Sequence, residues 1–101
     1  MITNENRIQQ YLNDIQKYGE WGKMLAEQSL LQLLNSNTKF SVSVIHNGLE
    51  FIKAKMKLNV LLDTCHSEHE KEKRLKQIDI EIPLTEEIAK HDLEYRGLLI
   101  P

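Results

Sequence analysis

Cys65, His66 and His69 form the densest grouping of nucleophile, base and metal-ligand types in the chain, with His91 far away in sequence. A structural zinc site needs four ligands, commonly as two spaced pairs, and no second pair accompanies these three residues. A cysteine nucleophile needs a base brought in from another element, and no flanking motif marks Cys65 as an activated thiol. Asp63, Glu68, Asp79, Glu81, Glu86, Glu87 and Asp92 fall on expected solvent faces or at a helix start, so no carboxylate pair stands out for acid-base work. Gly19, Gly22, Gly48 and Gly97 fit neither phosphate-binding glycine pattern. The expectation is therefore a protein that is not an enzyme, with no cofactor and no metal.

Binding chemistry offers more. Lys53, Lys55 and Lys57 occupy alternate positions, which a strand would gather on one face. Concentrated positive charge of that kind suits phosphate, although little aromatic surface accompanies it and Glu68, Glu70 and Glu72 dilute the nearby Lys71, Lys73, Arg74 and Lys76. Trp21, Met24 and Leu31 lie off the apolar stripe of an N-terminal helix, and Leu98, Leu99 and Ile100 form an apolar tail. Exposed apolar clusters with an aromatic member mark contact surfaces. The leading expectation is a protein-protein interaction domain, a small regulator, inhibitor or assembly component, acting through these six residues and binding a protein partner or itself as a homo-oligomer. Nucleic-acid binding by the three lysines is the alternative.

Composition sets the frame for both. With 101 residues, 41% hydrophobic and 28% charged, the chain suits a single domain spanning 1–101 with one core. Thirteen Lys plus Arg against fifteen Asp plus Glu give a net charge of -2, which draws the whole molecule to no polyanion. A lone cysteine closes no intramolecular disulfide, and the first residues lack the basic start and apolar stretch of a signal peptide. Apolar runs such as Val60–Leu62 fall far short of the roughly 18 residues of a membrane span. These features point to a cytoplasmic protein without membrane contact.

The elements that would position these residues follow from periodicity. From Thr3 to about Asn35 there is no proline, and Ile8, Tyr11, Leu12, Ile15, Tyr18, Leu25, Ala26, Leu30 and Leu33 share a helical stripe, with Thr3 or Asn4 as N-cap and a kink conceivable at Gly19 and Gly22. Phe40, Val42 and Val44 then alternate with serines, and Asn47-Gly48 suits a hairpin turn. Ile52, Ala54, Met56, Leu58, Val60 and Leu62 continue the alternation, and Ile78, Ile80 and Ile82 give a third strand stopped by Pro83. Between these strands, Asp63 to Gln77 has no apolar pattern and suits a loop or short helical turn, capped by Asp63 or Thr64 if helical. Thr85 caps a last helix carrying Ile88 and Tyr95, with Gly97 past its end. The predicted class is α+β: helix, three-stranded antiparallel meander, helix.

That order is similar in topology to double-stranded RNA binding domains. The start of the last helix, Thr85-Glu86-Glu87-Ile88-Ala89-Lys90, carries acids where those domains place lysines on phosphate.

Overall fold

A computed structural model describes residues 4–35 and 37–100. Helix α1 (Asn4–Leu34) is followed by β1 (Phe40–Ser41), α2 (Val42–Leu62), α3 (Glu68–Tyr95) and β2 (Leu99–Ile100). The protein is mostly helical. The three-stranded meander is absent, so the α+β class and the topological likeness to RNA-binding domains are both overturned.

The first helix runs as its stripe predicts, unbroken through Gly19 and Gly22. Asn4 opens it, whereas the alternative cap Thr3 lies outside the described residues. Ile8, Tyr11, Ile15, Tyr18 and Leu25 are half-buried, but no residue of α1 is fully buried. Leu30 and Leu33 remain 58% and 85% exposed, and Leu12 and Ala26 are also exposed. An outer helix packed along one side of its neighbour has this signature.

The segment predicted as strand, turn and strand is one helix, α2. Ser41 caps it, its hydroxyl accepting from the Val44 N–H at 3.1 Å. The alternation misled because α2 lies between two other helices. At about 100° per residue, every second position of a helix alternates between nearly opposite sides. Ile52, Met56 and Val60 therefore point one way, onto the cluster that holds Ile78 and Ile82. Ala54, buried, and Leu58, half-buried, point another way and stand outside that cluster. A helix covered on two sides shows apolar residues at every second position just as a half-buried strand does. Asn47-Gly48 makes no turn; Gly48 lets α1 approach, since a Cβ there would stand 2.8 Å from Leu25 Cβ and 3.2 Å from the Trp21 carbonyl oxygen.

The loop expected from Asp63 to Gln77 shrinks to the turn before Ser67, whose hydroxyl caps α3 by accepting from the Glu70 N–H at 3.2 Å. Asp63 ends α2 instead, its N–H donating to Val60 O. Ile78, Ile80 and Ile82 lie in α3, which continues through Pro83 rather than stopping. A proline inside a helix costs about 3 kcal/mol through its missing N–H and its clash with the preceding turn. Buried Leu75, Ile78, Ile82 and Leu93 with half-buried Ala89 form one stripe on both sides of Pro83. Each fully buried aliphatic side chain stabilises by about 1.5–3 kcal/mol, enough together to offset the proline. Thr85 caps nothing; its hydroxyl donates back to Glu81 O at 2.8 Å.

Gly97 adopts φ +70 beyond the C-terminus of α3, as its position predicts. Leu98 N–H donates to Leu93 O at 2.8 Å and Gly97 N–H to Glu94 O at 3.0 Å, a Schellman closure that turns the chain back. The tail then pairs in parallel with β1, Phe40 beside Leu99 and Ser41 beside Ile100. The described residues measure 46 × 23 × 22 Å, the long dimension matching α1 at about 1.5 Å per residue.

Candidate interaction surface

Two ends of the molecule differ in character. At the α2–α3 turn, a cavity of about 450 Å³ is lined by Val60, Asp63, His66, Glu70, Lys71 and Arg74, among others. All of its charges but Glu70 are already committed. Asp63 accepts from the Cys65 N–H at 2.7 Å and pairs with His66, and these two contacts hold its carboxyl below the usual Asp range. Lys71 sits near Glu68 and reaches Leu61 O, and Arg74 bonds Gln77 and Glu81. Cys65 is a free, exposed thiol, and among the described residues no three His, Cys, Asp or Glu side chains converge to hold a metal.

The three lysines do not form a row. On α2, Lys55 stands about 200° from each of the other two, while Lys53 and Lys57, four residues apart, share a side. Lys53 pairs with Glu50 at 3.0 Å, Lys55 lies 5.3 Å from the Phe51 ring centroid, and Lys57 is paired with Asp79 of α3 and stacked 5.7 Å from the Tyr11 ring. Lys57 is also only 12% exposed, which leaves it unavailable to phosphate. The strand face on which a nucleic-acid reading depended does not exist.

The other end is apolar. Trp21 is half-buried on α1, while Met24 (41%) and Leu31 (52%) are exposed on one side of that helix, joined by Leu30 and Leu34 near its end. Leu98 is buried in the core at 8%, Leu99 is half-buried in the pairing with β1, and Ile100 is 44% exposed. The structure thus divides the six residues into core and surface. Leu98 and Leu99 help hold the tail to the fold, and Met24, Leu31 and Ile100 remain accessible.

Sequence reasoning set Ile88 and Tyr95 on one side of the last helix but missed the longer apolar stripe they belong to. Ile80 (70% exposed), Leu84 (58%), Ile88 (61%) and Tyr95 (92%) lie within about 80° of one another on α3, away from its buried stripe. Their spacing of four, four and seven residues was the available signal, hidden once Ile80 was placed in a strand. The last turns of α1 and α3 are neighbours: with its amide oxygen turned toward α3, Gln32 accepts from Arg96 Nη2 at 2.7 Å. The leucines ending α1 and the distal part of the α3 stripe therefore share one end of the molecule.

A seam of polar contacts between α2 and α3 lies on the side opposite this stripe. His46 Nδ1 stands 2.7 Å from Glu86 Oε1, and Lys90 reaches Glu86 at 3.2 Å. Burial alone would raise the Glu86 carboxyl, but the hydrogen bonds from His46 and Lys90 outweigh it and hold the group below the ordinary Glu range. Together with Lys57–Asp79 these contacts lie on the side of α3 that the buried Leu75, Ile78, Ile82 and Leu93 turn to the core, which leaves Ile80, Leu84 and Ile88 facing outward. Arg7–Glu72 links α1 to the start of α3 on the same frame.

Among the described residues no helix is long and apolar enough to cross a membrane, so the exposed stripe is not part of a span. No protein-family model, no curated protein and no solved structure matches this chain.

Proposed function

We propose that this chain is a non-enzymatic protein-interaction module, a regulator, inhibitor or assembly component, whose outward α3 face docks an amphipathic helix of a partner. The observation that carries the reading is the stripe of Ile80, Leu84, Ile88 and Tyr95, each more than half exposed and aligned along one side of a helix that the core holds from the other. Contiguous apolar surface in water is costly, and a helical row of anchors four and seven residues apart suits a facing helix. Met24, Leu31, Leu30 and Leu34 extend apolar surface at the same end.

The test is the triple variant Ile80→Gln/Leu84→Gln/Ile88→Gln. It should unfold at the same temperature as the parent in dilute solution and lose every stoichiometric protein partner, its own copies included, in affinity capture and sedimentation. Identical partners and identical sedimentation for both proteins would reject the proposal.

A further inference from the structure

We infer that the helix docking on α3 is α3 of a second copy, in antiparallel orientation, with the two-fold axis passing beside Leu84. The inference rests on the docking reading above and names its occupant. Its basis is the charge arrangement along the two edges of the apolar stripe. Lys76 and Glu94 are five helical turns apart, at about 3.6 residues each, and so sit on the same edge. Arg74 and Asp92 have the same separation and share the other edge. On both edges the cation is near the start of the helix and the anion near its end.

In an antiparallel helix pair each edge meets the same edge of its partner, running the opposite way. A two-fold beside Leu84 then sets Ile80 against Ile88 of the other copy and Leu84 against Leu84. It also brings Lys76 to the other copy's Glu94 and Arg74 to its Asp92, each contact occurring twice. A parallel pairing would put Lys76 against the other copy's Arg74 and Glu94 against its Asp92, so the charges choose the orientation. Lys76 and Glu94 are both exposed, and among the described residues neither has an ionic partner within the chain. Among the described residues Arg74 and Asp92 hold partners on their own helix alone, Gln77 at 3.1 Å and Glu81 at 3.4 Å for the one and Arg96 at 2.9 Å for the other, solvent-reached contacts weak enough to exchange.

Two single charge reversals test this arrangement. Lys76→Glu and Glu94→Lys should each weaken dimerisation about fivefold in sedimentation at low salt, because two attractive contacts become repulsive. Mixed in equal amounts, the two variants should form a heterodimer at least as tight as the parent dimer, since every facing pair is again of opposite sign. Leu84→Lys should abolish the dimer while keeping the helical circular dichroism and the unfolding temperature of the dilute parent. A parent chain that stays monomeric at about 1 mM overturns the inference. So does a dimer that survives Leu84→Lys, or a mixture that recovers nothing. A monomeric parent whose outward triple variant still loses a different captured protein would reject the second copy alone and leave the docking module standing.

Discussion

Ile78 and Ile80 are two residues apart in the same helix, yet one is 0% exposed and the other 70%. The inward side of α3, with Leu75, Ile82 and Leu93, is as apolar as the outward side, with Leu84, Ile88 and Tyr95. Residue type does not separate them. The phase of α3 does: it turns Leu75, Ile78, Ile82 and Leu93 to the core, with the polar contacts to α2 beside them. The fold uses one apolar side for its core and holds the other out to solvent.

The sharpest way to break this comparison is to truncate one residue on each side. Ile78→Ala should cost about 2–5 kcal/mol by leaving a cavity in the core, lowering the unfolding temperature by several degrees per kcal/mol. Ile80→Ala should change stability by no more than about 0.5 kcal/mol in dilute solution. Urea titrations of the two variants measure both, and equal losses would show that α3 is rotated from the phase described.

The α1–α2 contact yields a second, smaller contrast between two glycines. A methyl at Gly48 meets Leu25 Cβ and the Trp21 backbone, so Gly48→Ala should destabilise by about 1–3 kcal/mol. A methyl at Gly19 meets nothing within 4 Å, so Gly19→Ala should stabilise the helix by up to about 1 kcal/mol. Thermal unfolding of the pair gives opposite signs if α1 crosses α2 at Gly48. Losses in both would place the crossing elsewhere.

The polar seam between α2 and α3 should also respond to acid. The Glu86 carboxyl is held below its unfolded value of about 4.3, so its contribution is fully present above that pH and is lost as pH falls through the lower folded value. Glu86→Gln should be less stable than the parent at neutral pH, by under about 1 kcal/mol given the partial exposure, and the gap should close below pH of about 4. Urea midpoints across pH check this, and a gap that is constant with pH would remove the seam from the account.

Parts of this architecture could be read from sequence. The stripe from Ile8 to Leu25 gave α1, and Gly97 gave the end of the last helix, because each signal is local. The middle failed for a tertiary reason. Ile52 to Leu62 alternates because two neighbours cover α2, a fact absent from any single segment. Pro83 looked like a terminator because its cost is local, whereas the stripe from Leu75 to Leu93 that offsets it spans five turns at about 3.6 residues each. Misplacing Ile80 in a strand then concealed its alignment with Leu84 and Ile88. The lysines were misplaced for the same reason: three alternate positions form a row on a strand, whereas on a helix the middle one turns to the opposite side. Exposure at Met24 and Leu31 was legible because α1 was correctly placed, while the burial of Leu98 depended on contacts with the remote Phe40.

Covalent footprinting of α3 tests most directly whether its outward side is a surface meant to be covered. Side-chain labelling would be compared between the dilute purified chain and the protein inside the cell that produces it. Strong protection of Ile80, Leu84, Ile88 and Tyr95 in the cell, with unchanged labelling of the exposed Cys65 and His66 in the α2–α3 turn, is the predicted result. Equal labelling of the four residues in both settings would contradict it.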